Sequence, residues 1–316
     1  PTLVDVQVGD KRVPALVQGT KMGFVFVLHR ETGEPVVGIE NLEVPRSGPL
    51  AEQFSATQPY PPEAFRVAPN VSGDDAWGLT FWDEGWCEEQ LADMTVGPIY
   101  TPISENWTLV APSNAGGINW GGVAVDPESG LIVARSSNLP YRIKLVPREQ
   151  FSERSGHEFG VELAEQRGTP YAMARAPFLS PWGLPCNKPP WGTVTAIDIG
   201  AEQQVWRTPH GTVRDLSPLP IPWELGVPGI GGPMITAGGL VFIGGAMEKV
   251  LRAYDLHSGE ELWKGELPAG PQATPMSYSV ELEDGGSRQF VVVAAGGYPS
   301  MGFEAGDHLV AFALPD

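Results

Sequence analysis

The chain is poor in cysteine, histidine and positive charge, and it has no long apolar run. Its 316 residues include two cysteines and five histidines. Two thiols are too few for a metal cluster, and the absence of Cys-x-x-Cys-His excludes attachment of c-type haem. His29, His157, His210, His257 and His308 are scattered without ligand spacing, and each reads as a surface or turn residue. Twenty Lys and Arg against 38 Asp and Glu leave a net charge of −18, with no basic run to offset it. Nucleic acid and anionic membrane surfaces need clustered cations, so neither is an expected partner. No stretch is apolar enough to span a bilayer, and no signal peptide is present. The chain opens at Pro1 without Met, already entering a strand. That start is expected of a C-terminal fragment whose targeting segment, with any membrane anchor, lies upstream.

Familiar catalytic signatures are missing as well. Gly229-Ile230-Gly231-Gly232 lacks the third glycine of a dinucleotide fingerprint and sits among strands, so it reads as a tight turn or bulge. There is no Gly-x-Ser-x-Gly elbow and no Walker loop. The neighbouring acids Asp74-Asp75, Asp83-Glu84 and Glu88-Glu89 suit a solvated face better than the separated carboxylates of a glycosidase.

What is abundant is turn chemistry. With 39 Gly and 32 Pro, few segments escape a helix breaker, and only Phe151 to Gln166 and Cys87 to Met94 are predicted as short helices. Apolar residues at 42% and charged residues at 18% indicate a compact globular chain. One pattern recurs. Leu251 to Trp263 combines a strand holding Ala253, Tyr254 and Asp255, a Ser258-Gly259 turn, and a second strand closed by Trp263. Thr195 to Trp206 keeps Ala196, Asp198 and the Trp but has Glu202 at the turn glycine. Val123 to Gly130 keeps the front half with Asp126, and Phe26 to Gly33 keeps the turn with His29 in place of Asp. In such a unit Asp caps backbone donors, Gly takes positive φ, and Trp offers a flat surface to wedge between sheets while its indole N–H seeks a carbonyl. Four unrelated hairpins in a sandwich could also carry these residues, but shared types at matching offsets favour an all-β chain built as a β-propeller.

Cys87 and Cys186 lie in Trp- and Pro-rich, loop-like segments. Paired, they would staple two excursions in an oxidising compartment; unpaired, they would be ordinary buried thiols. Further segments are too particular for propeller filler. Gly19-Thr20-Lys21-Met22-Gly23 puts one Lys ahead of an apolar strand, and Asn114 to Gly122 is a glycine-dense loop containing Asn-Trp-Gly-Gly. Leu-Pro-Cys186 lies in a Pro- and Trp-rich run, Gln272 to Met276 reads Gln-Ala-Thr-Pro-Met, and Tyr298 follows Ala-Ala-Gly-Gly.

Together these strings resemble the quinoprotein dehydrogenases that use pyrroloquinoline quinone (PQQ), in the branch of the membrane-bound glucose dehydrogenase, over essentially the whole chain. The resemblance implies about the last four blades of an eight-bladed propeller, a single domain over 1–316 with a long insertion at about 41–97. It implies PQQ with Ca²⁺ or Mg²⁺ as cofactors and an alcohol-bearing small molecule as substrate. Electrons would pass to ubiquinone or a cytochrome, in the periplasm. It also implies four cofactor-binding residues. Lys21 matches the cation at the quinone oxygens, Asn114 matches an amide hydrogen-bonding the cofactor, and Ile230 approaches through its backbone. Tyr298 stands where glucose-oxidising relatives carry His, which widens the expected substrate to a sugar, polyol or cyclic hydroxy acid. The Asp base, the metal ligands and the stacking Trp are expected upstream of Pro1, so the isolated chain should be inactive. On the same resemblance Cys87 and Cys186 should bridge, with Cα atoms within about 7 Å. A non-enzymatic propeller scaffold sharing the Ala-x-Asp…Gly…Trp repeat is the second reading.

Overall fold

The computed structural model describes residues 1–316 except 49, 152–159, 217–221, 284, 300–301 and 316. Its first antiparallel sheet is β1 (Thr2–Val8), β2 (Lys11–Gly19) and β3 (Val25–His29), extended by a bridge from Leu28 to Pro35. The chain then makes an excursion through a two-stranded ribbon, β4 (Glu40–Glu43) and β5 (Thr57–Tyr60), and α1 (Phe81–Ala92). Next come β6 (Thr108–Val110), β7 (Val123–Val125) and β8 (Leu131–Ser137). β9 (Tyr141–Pro147), β10 (Glu162–Ala164) and β11 (Tyr171–Pro177) follow, then β12 (Gly192–Asp198) and β13 (Gln203–Pro209). The second blade is β7-β8-β12-β13, and β6, β9, β11 and β10 form a separate sheet spliced into it. β14 (Pro233–Ile235), β15 (Leu240–Ile243), β16 (Val250–Asp255) and β17 (Glu261–Glu266) make the third blade. β18 (Met276–Glu281), β19 (Ser287–Ala295) and β20 (His308–Phe312) make the fourth.

The packing is radial, because the inner strands of neighbouring blades bury side chains against one another. In β8, Ile132 and Ala134 pack with Val6, Ala15, Val17 and Val27 of the first blade. The alternate residues Leu131 and Val133 pack with Val241, Ile243, Tyr254 and Leu256 of the third. Period-two alternation thus feeds two cores at once, which is why all seven residues of β8 are buried. Leu251 on β16 then meets Val291, Val293 and Ala295 of the fourth blade. The all-β propeller expectation holds.

The repeat works as its chemistry implies. Asp255 Oδ1 accepts the N–H groups of His257 and Ser258 at 2.9 and 2.8 Å, and Gly259 has φ +74°. Asp198 Oδ1 accepts from Ala201 N at 2.9 Å, and Glu202 adopts φ +50° where the glycine is missing. Trp206 donates its indole N–H to Leu256 O at 2.8 Å and lies over Gly259, where a Cβ would sit 2.6 Å from the ring. The copies at Val123–Gly130 and Thr195–Trp206 are not successive blades but the two hairpins, β7-β8 and β12-β13, of the same blade. The Asx-type turn is a local solution that either hairpin can use.

The two helix expectations diverge. Of Cys87–Met94 the part up to Ala92 is helical, but the helix begins at Phe81 because Thr80 accepts the N–H of Asp83 at 3.3 Å as N-cap. Phe151–Gln166 is not a helix where it is described: Glu162–Ala164 is β10, pairing with β11 and tied by a bidentate Glu162–Arg175 contact at 2.7 and 2.9 Å. Residues 152–159 lie outside the described set. Cys87 and Cys186 are disulfide-bonded with Cα atoms 5.5 Å apart, as the resemblance implied, inside a small apolar cluster with Val71, Leu91, Leu109 and Phe178.

Candidate functional site

The loops at one end of the blades meet around a cavity of about 680 Å³. Lys21 enters from the β2–β3 turn and donates Nζ–H to Ala115 O at 2.6 Å, while Gly117 N–H donates to Lys21 O at 2.7 Å. These bonds strap the Lys21 turn to the loop before β7. In that loop Asn119 donates to Ala115 O at 3.0 Å and accepts Trp120 N–H at 2.9 Å. Trp120 is 75% exposed and borders both this cavity and a neighbouring hollow. The Gly-Gly after Trp120 is a packing requirement. A Cβ at Gly121 would lie 2.1 Å from Gly232 N, so only glycine lets the loops before β7 and β14 touch. That touch brings Ile230 beside Trp120. Ile230 is buried, with its N–H donated to Gln272 Oε1 at 3.1 Å. Tyr298, from the β19–β20 loop, is half-buried and also lines both hollows.

Lys21, Ile230 and Tyr298, separated by up to 277 positions in sequence, therefore share one cavity. Asn114 is half-buried in the same glycine-rich loop but is not among the lining residues; the amide on the wall is Asn119. Sequence reasoning also passed over Ser137, Leu139 and Tyr141, which complete the wall from the end of β8 and the start of β9. Burial pushes the Tyr141 hydroxyl above its ordinary value. The lining contains no Asp or Glu. In a chain of net charge −18, the one charged side chain among the described residues of this lining is the cation Lys21.

Behind the wall lies a buried polar layer, which corrects the reading of His210 as a surface residue. His210 is 0% exposed; its Nε2 faces Gly244 O and its Nδ1 the Tyr254 hydroxyl, each at 2.9 Å. Since Gly244 O only accepts, Nε2 carries the proton and Nδ1 accepts from Tyr254. Burial, then the charges of Arg135 and Arg252, hold the imidazole well below its ordinary pKa. Glu248, also buried, accepts from Thr212 N and Oγ1 at 3.2 and 3.1 Å and pairs with Arg252, whose Nε reaches Glu261 at 2.7 Å. A polar residue type alone carries no sign of such burial. Asp83, assigned to a solvated pair, is likewise buried, accepting Leu79 N–H at 3.2 Å at the start of α1. Among the described residues no group of three or more His, Cys, Asp and Glu could hold a metal ion, and no helix is long and apolar enough to cross a membrane.

A family profile described as "PQQ: Glucose/ethanol/alcohol dehydrogenase, beta-propeller domain" matches residues 1–291. The chain belongs to this PQQ dehydrogenase propeller family. It is 40% identical to the quinoprotein glucose dehydrogenase of Escherichia coli, with all of the chain and 40% of that protein aligned. It is 37% identical to the quinate/shikimate dehydrogenase (quinone) of Acinetobacter baylyi, over 99% of the chain and 40% of the relative. Against the glycerol dehydrogenase large subunit of Gluconobacter thailandicus it is 36% identical, over 100% of the chain and 45% of the relative. The chain thus spans about 40% of the length of these PQQ-family relatives. Among solved structures, a europium-containing methanol dehydrogenase superposes with a TM-score of 0.51 at 20% identity, over 93% of the chain and 38% of that structure, a likeness of fold.

Proposed function

We propose that the chain is the C-terminal part, within one propeller domain, of a PQQ-dependent dehydrogenase that oxidises an alcohol group of a sugar, polyol or cyclic hydroxy acid. The observation that carries this reading is the convergence of Lys21, Ile230 and Tyr298 with Trp120 and Asn119 on a cavity that lacks acidic side chains. That donor set fits an anionic, flat, carbonyl-bearing group. When bound, PQQ would supply the two-electron acceptor chemistry that no side chain offers. Lys21 would place an ammonium donor beside an oxygen that gains negative charge, worth far more there than in water. Asn119, with Asn114 in the same loop, offers amide donors and acceptors, and Trp120 a flat face. Tyr298, bordering both hollows, would stand between cofactor and substrate.

The base, the Ca²⁺ or Mg²⁺ ligands and a second stacking Trp would lie in the upstream part of the longer protein, together with any membrane anchor. The Cys87–Cys186 bond supports a periplasmic home. Ubiquinone or a cytochrome is the proposed acceptor; relatives carry "quinone" and "cytochrome c" in their names. The non-enzymatic scaffold reading has no use for a cation-lined hollow at the loop end, and the family membership weighs against it. In the full-length protein, Lys21→Ala should lower turnover about a hundredfold, as loss of one preorganised donor does. Its unfolding free energy should shift by less than about 1 kcal/mol, since an exposed Lys adds little to folding. Unchanged turnover would remove Lys21 from the site.

A further inference from the structure

The wall of the cavity formed by Gly229 and Ile230 is held from behind by a cation that no carboxylate among the described residues neutralises. Arg135 projects from β8 and is 3% exposed. Its guanidinium crosses to the segment before β14, donating to Val227 O and Ser137 Oγ at 2.8 Å each and to Gly229 O. Ser137 Oγ completes the clamp, donating to Gly229 O at 2.9 Å and accepting Gly229 N–H at 3.1 Å. Both Ser137 and Gly229 line the cavity, so the charge stands one residue layer behind it.

Every acceptor of Arg135 is neutral. Among the described residues no carboxylate pairs with it, and its Nε is buried without a hydrogen-bond partner. Its surroundings offer no compensating acid: Arg252 already takes up Glu248 and Glu261, His210 beside it is held neutral, and the adjoining cavity contributes Lys21 and no carboxylate. Burial pushes the Arg135 guanidinium down to about 9, still charged at neutral pH. A buried cation left without a counter-charge is costly, and a loop clamp needing only hydrogen bonds could use a neutral amide.

We infer that Arg135 is a positioning residue for the cavity, fixing the Val227–Ile230 wall and lending its charge through Ser137 and Gly229 to a carboxylate-bearing ligand. This rests on the PQQ reading above and adds that the carboxylates of the cofactor, not only its quinone oxygens, are sensed from this half of the propeller. The ligand then supplies the negative charge that the protein withholds from Arg135.

The test compares PQQ with its trimethyl ester in the full-length protein, by equilibrium quenching of tryptophan fluorescence. The wild type should prefer the triacid. Arg135→Gln should weaken the triacid roughly ten- to hundredfold and the ester much less, the scale expected of one charge at low effective dielectric. Arg135→Lys keeps the charge but loses the fork, so it should loosen both ligands by a common factor and keep the discrimination. If Arg135→Gln does not fold, the Lys variant still decides, because loss of its discrimination would overturn the role of charge. Equal weakening of both ligands in Arg135→Gln, or none, would overturn the inference alone. A wild type that binds neither ligand would overturn the quinone reading and this inference with it.

Discussion

Two tryptophans close equivalent hairpins in adjacent blades and meet different fates. Trp206 of the second blade lies flat over Gly259 of the third and gives its N–H to Leu256 O at 2.8 Å. Trp263 of the third blade is 38% exposed and rests on Phe242 and Phe312, with ring centroids at 6.3 and 5.0 Å. The hairpins match down to a register shift after the shared alanine, Ala196 or Ala253. What differs is the neighbour: the third blade offers a glycine turn to receive Trp206, and the fourth has no copy of that turn in this chain. The tryptophan motif is therefore an interface motif. Its stabilising value belongs to the pair of blades and not to the hairpin that carries it.

Gly259→Leu should show the contrast most strongly. The new side chain needs positive φ and would enter the Trp206 ring, so strain and overpacking together should cost roughly 3 kcal/mol or more in urea unfolding. The same substitution at Gly33, where a Cβ meets nothing within 4 Å, should cost only the backbone strain. Equal losses at both glycines would mean that the Trp206 contact contributes nothing. Next in size is Trp206→Phe. Removing the indole N–H leaves the Leu256 carbonyl without that donor and should cost about 1–3 kcal/mol, whereas Trp263→Phe should stay within about 1 kcal/mol. A larger loss at Trp263 would reverse the comparison.

The smallest expected effect depends on pH and concerns His210, which follows β13 of the second blade and reaches across the same junction to Tyr254 and Gly244 of the third. Its folded pKa is depressed, so below the ordinary imidazole value of 6.5 the unfolded chain binds the proton more readily. The contribution is complete above about pH 6.5 and is lost as pH falls toward the lower folded value, by up to about 1.4 kcal/mol per unit. His210→Gln should flatten unfolding free energy between about pH 6.5 and 5 relative to the parent. An unchanged slope would mean that His210 does not report on the junction.

The legible parts of the fold were those whose chemistry is local. Asp255, Ser258 and Gly259 satisfy one another within five positions, so the turn could be read from the string itself. The splice into the second blade could not, because β9 and β11 alternate as any blade strand does and only long-range pairing separates them. Lys21, Ile230 and Tyr298 were nominated through family resemblance, and their motifs carry loops that meet at one cavity. Asn119 lines the cavity where Asn114 does not, and the sequence could not foretell this because the strap to Ala115 sets which amide of the glycine-rich loop faces inward. Arg135 and His210 were invisible for a more general reason. Apart from Ser137, the partners of their side chains are 34 to 94 positions away, and nothing in a lone Arg or His states that it will be buried.

The Cys87–Cys186 bond closes a covalent ring across a separation of 99 positions that contains β6 to β11, including the inner hairpin of the second blade. The outer hairpin of that blade, β12-β13, lies outside the ring, following it in the chain and pairing with β8 through backbone hydrogen bonds and shared apolar packing. A single proteolytic cut anywhere inside the ring consequently releases nothing while the bond is intact. The nicked chain stays one molecule on a non-reducing gel, still holding Lys21 on one side of the cut and Ile230 on the other, and separates into two only when a thiol is added.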